Sequence, residues 1–276
     1  MGDLMRLDLD GPVAVLRFLC PERRNPYSLA FVEALVANLR LAEKDEAIRA
    51  VVMTGGEHFS SGGDLIGFRA EIAKGARTTL QMVDMVHEGG RAAYQFRKPL
   101  IAAVCGIAYG AGLSLALSAD IIVAAEDARL CEVFARIGGC PDTGSSWLLQ
   151  QRAGAGIARM LVLTGREIDG RAARELRIVE ECVPPGEVEN RAIEIAREVA
   201  AHPAFGIQTA KCVMRAAAEC SYLQALEIER DSQTVPLLRP RFSRGDEGFP
   251  GKAGAAVQGL LIPAKQPAKQ PEEKHL

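Results

Sequence analysis

The chain has no CxxC pair and no histidine with a cysteine or histidine partner at metal spacing. Its seven cysteines (Cys20, Cys105, Cys131, Cys140, Cys182, Cys212 and Cys220) are odd in number and widely spaced. That excludes a disulfide framework and a zinc site, and it predicts reduced thiols in a cytoplasmic setting. Excess charge of either sign is missing too: 33 Lys and Arg stand against 35 Asp and Glu, a net charge of −2. Nucleic acid is therefore not an expected partner. Met1-Gly2-Asp3-Leu4 lacks a basic region followed by an apolar run, so no signal peptide is expected. The longest apolar stretch, Leu100 to Ala125, is interrupted by glycines and Asp120. It reads as buried strand, turn and helix, and no membrane partner is expected.

At 276 residues, 48% hydrophobic and 25% charged, the chain can bury a substantial core as one large domain or a domain with an appendage. Its most informative feature is a pair of glycine-rich turns, each after a β-like run. Phe59-Ser60-Ser61-Gly62-Gly63-Asp64 follows Ala50-Val51-Val52-Met53-Thr54; Tyr109-Gly110-Ala111-Gly112 follows Leu100-Ile101-Ala102-Ala103-Val104. An acid, Asp142, lies downstream in Gly138-Gly139-Cys140-Pro141-Asp142-Thr143-Gly144. Two small-residue turns can aim two backbone N–H groups at one oxygen, and a carboxylate can move a proton beside it. That combination suits stabilisation of an enolate.

The rest of the pattern is α/β. Leu7 to Phe18 predicts a hairpin turning at Asp10-Gly11. Ser28 is placed to cap a helix running to about Asp45, with Leu29, Val32, Leu35, Val36 and Leu39 on one face. Residues 65 to 97 look helical but broken at Gly67, Gly75 and Gly89-Gly90, and are expected to be mobile. Gly112 to Ala119 reads as a short apolar helix and Ile121 to Ala125 as a third buried strand. Helices are expected near 145–152, 156–163 and 170–177, then Val188 to Ala201, Pro203 to Cys220 and Tyr222 to Thr234. Two β-type runs followed by a helix recur, which predicts a spiral of ββα turns. The boundaries expected are a core over 1–200, a helical region over 201–262 and a disordered polar tail over 263–276.

These turns, with Pro21-Glu22-Arg23-Arg24-Asn25, Lys98-Pro99-Leu100, Ala119-Asp120-Ile121 and Leu163-Thr164-Gly165, resemble the enoyl-CoA hydratase/isomerase (crotonase) superfamily from about residue 10 to 235. The resemblance implies a crotonase fold, a spiral of ββα repeats with a C-terminal helical region that helps form a homotrimer or a dimer of trimers. It implies an acyl-CoA substrate with no separate cofactor, coenzyme A entering as part of the thioester. The oxyanion donors would be the N–H groups of Gly63 and Ala111. Small residues there let the backbone approach the thioester oxygen, each donor contributing about 3 kcal/mol to the enolate. Two tight turns without a ligand would use the same glycines.

The family's hydratases activate water with two glutamates. This chain has Ser114 and Phe134 at those positions, with Glu132 two residues from the second and expected to aim elsewhere. Asp142, after Pro141, matches instead the acid used by a subset that includes the ring-opening isomerases of phenylacetyl-CoA breakdown and an aromatic acyl-CoA dehalogenase. Pro141 to Leu149, Pro203-Ala204-Phe205-Gly206 and Leu226 to Asp231 look most like the phenylacetate-type isomerases. A bland role for Asp142 is to cap a helix starting near Thr143. Arg24, Pro26, Tyr27, Ser61 and Asp64 fall in the coenzyme A-contacting segments, and Tyr27 is placed to narrow the acyl pocket. Arg24 can serve equally as a surface charge; Lys252 is a weaker phosphate candidate.

The remaining residues read as structural. His58 and His87 have no metal partner, and His202 neighbours a helix C-cap. Trp147 is expected in a helix core, Cys105 and Cys212 pack in apolar surroundings, and Cys140 packs or lines a pocket. Val179-Glu180-Glu181-Cys182-Val183 is expected to form a surface turn, with Arg177 where the family usually has glycine. The expectation is double-bond isomerisation of an enoyl-CoA with Asp142 as proton shuttle. Hydration and a non-catalytic acyl-CoA-binding scaffold stand as alternatives.

Overall fold

The computed structural model describes residues 4–238. The Arg239 to Phe249 stretch, Lys252 and the 263–276 tail lie outside the described residues. Contacts divide the chain into two compact units, one through Lys211 and one from Cys212.

The first unit opens with β1 (Met5–Asp10) and β2 (Val13–Phe18), an antiparallel hairpin pairing Asp10 with Val13. Gly11 takes φ +58 at the turn, a conformation that glycine adopts freely. Helix α1 (Leu29–Lys44) starts where expected: the Ser28 hydroxyl accepts the Phe31 N–H at 3.1 Å. Strand β3 (Ala50–Thr54) leads to α2 (Leu65–Ile72) and α3 (Ala76–Gln95). Then come β4 (Leu100–Val104), β5 (Ile107–Tyr109), α4 (Ala111–Leu117), β6 (Ile121–Ala125) and β7 (Arg129–Cys131). A 3-10 turn over Val133–Ile137 precedes α5 (Ser145–Thr164), β8 (Glu167–Asp169), α6 (Gly170–Glu175), β9 (Glu181–Val183) and α7 (Val188–Ala201).

The larger sheet has the order β1-β2-β3-β4-β6-β9, parallel from β2 onward. Its central strands are buried on both faces, which explains why they read as unbroken apolar runs. Helix α7 covers one face, laying Ala192, Ile195 and Ala196 over the sheet. The smaller sheet runs β5-β7-β8 and was not visible in the sequence. Its strands are three residues long, too short to show a period.

Several expectations need correction. Of the expected breaks in 65–97, only that at Gly75 separates helices; Gly67 lies inside α2, and Gly89-Gly90 inside α3. The two helices expected near 145–152 and 156–163, by contrast, are present: α5 consists of two helical stretches divided at Gly154, whose φ 76, ψ 159 is non-helical. Residues 181–183 are an edge strand paired with β6, where a surface turn was expected. Arg177 does adopt φ +60, the conformation that makes glycine usual there. Trp147 is 37% exposed with its ring edge-on to Tyr94, and is not core. Cys140 and Cys212 are exposed, so neither packs inside.

Helix α8 (Ala204–Ala217) crosses the boundary between units. In the second unit α9 (Tyr222–Leu237) begins with a capping box, Ser221 and Gln224 bonding reciprocally. Tyr222, Leu223 and Leu226 on it are exposed. Among the described residues no helix is long and apolar enough to cross a membrane.

Candidate active site

The two glycine-rich turns meet. Ser60 pairs with Ala108 in an isolated parallel bridge: its N–H donates to the Ile107 carbonyl at 3.0 Å, and its carbonyl accepts from Tyr109 N–H at 3.1 Å. Packing is close enough that a Cβ on Gly62 would lie 2.5 Å from the Tyr109 carbonyl oxygen, and one on Gly112 would lie 2.6 Å from Ser60 Cβ. Larger residues would force the turns apart. Glycine at these positions therefore serves close approach, and at Gly62 (φ +88) and Gly110 (φ +48) also the backbone conformation.

Both expected donors have free N–H groups. Gly63 faces Tyr27 in a parallel bridge whose bonds run from Tyr27 N–H to the Gly62 carbonyl and from Asp64 N–H to the Tyr27 carbonyl. The Gly63 N–H takes no part in that bridge. Ala111 is the first residue of α4, and its N-cap, Gly110, provides no side-chain acceptor. Its N–H belongs to the first turn, which has no intrahelical partner. Gly110 is held by a bond from its N–H to the Cys131 carbonyl on β7, at 2.9 Å. The second sheet thus fixes one donor and the bridge with Tyr27 the other.

Asp142 lies on the loop between the 3-10 turn and α5 and is partly buried. It does not cap the helix with its side chain: the N-cap of α5 is Gly144, with no side-chain bond. The carboxylate Oδ1 accepts instead from the Thr143 hydroxyl at 3.0 Å. Burial raises its pKa; the Thr143 hydrogen bond and the charge of His87 partly offset this. Thr143 is a β-branched residue at φ +51, a strained backbone position directly beside the acid. What holds it there is α3: a Cβ at Gly90 would sit 2.7 Å from Thr143 Cγ2 and 2.9 Å from its carbonyl oxygen. The backbone carbonyl of Asp142 accepts from Ser114 Oγ at 3.2 Å and from Ser145 N–H at 3.0 Å.

Ser114 and Phe134 therefore stand in the site, in roles a water-activating carboxylate cannot share. Ser114 is buried and ties α4 to the Asp142 loop, and Phe134, 8% exposed, packs on the Gly110 turn. Tyr27 is 0% exposed, its hydroxyl donating to the Val86 carbonyl at 3.3 Å and lying where a Gly89 Cβ would be. Burial, then the negative charge of Asp142, raises its pKa strongly. Pro26 is buried beside it. The Arg24 carbonyl accepts from Ser61 N–H at 2.8 Å, while its side chain is exposed. Asp64 caps α2 through Gly67 N–H and pairs with Arg23 at 3.1 Å. These five residues form one border around the Gly63 turn.

Sequence reasoning gave His87, Glu132 and Asn25 no part in the site. His87 on α3 acts electrostatically on Asp142, and its buried Nε2 has no hydrogen-bond partner. Its signal was the spacing to Gly90, which places both on one helix face. Glu132, expected to aim elsewhere than the second glutamate position, is 1% exposed, and its Oε2 accepts from Ser145 Oγ at 3.1 Å. Asn25, fully buried at φ +50, holds the first turn with Nδ2 bonds to the Gly55 and His58 carbonyls at 3.0 and 2.7 Å. Among the described residues no cluster of ligating side chains could hold a metal ion.

Residues 9–252 match the family model described as enoyl-CoA hydratase/isomerase. The 1,2-epoxyphenylacetyl-CoA isomerase of Escherichia coli K12 is 30% identical over 241 residues, 87% of this chain and 92% of that protein. The 2,3-dehydroadipyl-CoA hydratase of the same organism is 32% identical over 223 residues, 81% and 86% of the two chains. Among solved structures, an enoyl-CoA hydratase from Polaromonas sp. JS666 superposes with a TM-score of 0.83 at 29% identity, covering 94% of this chain and 98% of that one. One from Bacillus anthracis gives 0.82 at 28%, covering 87% and 94%.

Proposed function

Since the chain belongs to the enoyl-CoA hydratase/isomerase family, with the crotonase fold, we propose that it is an enoyl-CoA isomerase moving a double bond from the 3- to the 2-position of an acyl-CoA. The observation that carries this reading is the partly buried carboxylate of Asp142 on a loop whose backbone accepts from Ser114 of α4, the helix that Ala111 opens, with Ser114 and Phe134 where the family's hydratases carry glutamates.

A 3-enoyl thioester has acidic C2 protons because the resulting negative charge delocalises onto the thioester oxygen. Gly63 and Ala111 N–H groups would receive that oxygen. Asp142 removes the C2 proton, the electron pair spreads over the dienolate, and the same carboxyl returns the proton at C4. The product is the conjugated 2-enoyl thioester; no water is consumed. The raised pKa of Asp142 makes it a stronger base than an exposed aspartate. Arg24, Pro26, Tyr27, Ser61 and Asp64 border the Gly63 turn, and we assign them to the coenzyme A side of the site. A homotrimer is proposed as the assembly, supported by the exposed Tyr222, Leu223 and Leu226 of the second unit.

Hydration is the second reading, favoured by relatives named hydratase and by a second carboxyl, Glu132, near Asp142. A paired absorbance assay separates the two. Conjugated 2-enoyl-CoA forming from 3-enoyl-CoA, with little loss of 2-enoyl-CoA to hydration, supports isomerisation. Rapid hydration of 2-enoyl-CoA refutes it, and turnover of neither with retained coenzyme A binding supports a scaffold.

A further inference from the structure

Among the described residues, Glu132 is the one buried carboxyl that the proposed reaction does not use. It stands at the junction of the site's two halves. On its N-terminal side, the Cys131 carbonyl holds Gly110 N–H and with it the Ala111 turn. Through its side chain, Oε2 accepts from Ser145 Oγ at 3.1 Å, and Ser145 N–H in turn donates to the Asp142 carbonyl at 3.0 Å. Ser145 is fully buried, so its hydroxyl has no solvent to turn to. The other oxygen, Oε1, is buried without a hydrogen-bond partner. Glu132 also lines a cavity of about 10 Å³ walled by Leu113, Leu130, Leu149, Leu161 and Ile168. Its surroundings are thus mostly apolar, with Ser145 bonded to it and Cys131 and Arg166 also lining the cavity.

We propose that Glu132 is a positioning residue for Asp142, acting through Ser145 to set the loop that carries the proton shuttle against the oxyanion turn. This rests on the reading of Asp142 as the base. A buried carboxyl with one oxygen unsatisfied is poorly suited to carry charge. Burial raises its pKa to about 7, and the Asp142 charge adds to the shift while the Ser145 bond opposes it. The negative charge of Asp142 acts on Glu132 in the same direction as burial. The charged or titratable groups around it are Asp142 on the loop, Cys131 on its own strand and Arg166 across the cavity. Above its pKa, the second negative charge would meet the first, and the loop would shift to separate them.

The test begins on unligated protein. Carboxyl bands are followed by infrared spectroscopy through a pH titration, with Asp142→Asn and Glu132→Gln assigning the two bands. Glu132→Ala and Ser145→Ala should each move the Asp142 midpoint by about half a pH unit or more, while Glu132→Gln, which keeps an acceptor for Ser145, holds it near wild type. Ser145→Ala removes only a hydroxyl, and so keeps the test open if Glu132→Ala does not fold. An Asp142 midpoint unmoved in Ser145→Ala overturns the proposal. With 3-enoyl-CoA, Ser145→Ala should lower kcat about 10²-fold with KM little changed; a change in KM alone overturns it as well. Wild-type protein inactive on 3-enoyl-CoA would overturn the isomerase reading, and the infrared titration would still decide the role of Glu132.

Discussion

Replacing Glu132 by glutamine should change how the stability of this protein depends on pH, and the size of the change can be worked from the structure. An unburied glutamate titrates at 4.5, whereas Glu132 in the fold titrates at about 7. Its folded state therefore holds a proton more tightly than its unfolded state. The associated stability is fully present below about pH 4.5, falls as pH rises from there, and is gone above about pH 7. A shift of about two and a half units corresponds to about 3 kcal/mol. Wild type and Glu132→Gln share every other titrating group, so the difference between them isolates this one. Urea unfolding at matched protein concentration, at steps between pH 5 and pH 8, gives the comparison. Wild type should lose about 2.5 kcal/mol relative to the variant across that window. Parallel curves would refute the reasoning, showing that Glu132 is either solvated or ionised throughout.

Further outcomes follow from other parts of the site. Asp142→Asn should lower isomerisation about 10²- to 10⁴-fold while coenzyme A binding, read by calorimetry, persists. Gly90→Ala should push Thr143 and displace Asp142, costing about 1–3 kcal/mol in denaturant unfolding and lowering kcat; an unaltered kcat would show that the loop has another seat. Asn25→Ala strips partners from the Gly55 and His58 carbonyls and should cost about 1–3 kcal/mol, with the Gly63 turn loosened and KM for acyl-CoA raised.

The main sheet was legible because β3, β4 and β6 are buried on both faces, and such strands write themselves as Ala-Val-Val-Met, Leu-Ile-Ala-Ala and Ile-Ile-Val-Ala. The two turns that carry Gly63 and Ala111 were legible because close approach of two backbones leaves glycine and alanine as its trace. Less could be read where one residue type serves two purposes. Gly89 and Gly90 look like helix breakers, yet in α3 they make room for Tyr27 and Thr143. Nothing local distinguishes these roles, since the partner atoms lie far away in sequence. The roles of Glu132 and His87 could not be read for the same reason. Their importance comes from what surrounds them after folding: apolar walls for one and the Asp142 carboxylate for the other.

The free N–H groups of Gly63 and Ala111 have a consequence for hydrogen exchange. Protection usually tracks structural stability, because amides in rigid elements exchange only when a bond opens. These two amides sit in a rigid frame with no bond to open, so in the empty protein they should exchange quickly while their neighbours Asp64 and Ser114, bonded to Tyr27 and Gly110, exchange slowly. A thioester oxygen arriving between them supplies the missing acceptor and should slow both together. Isotope exchange at two backbone positions would thus report occupancy of the proposed oxyanion site directly, whatever acyl group the substrate carries.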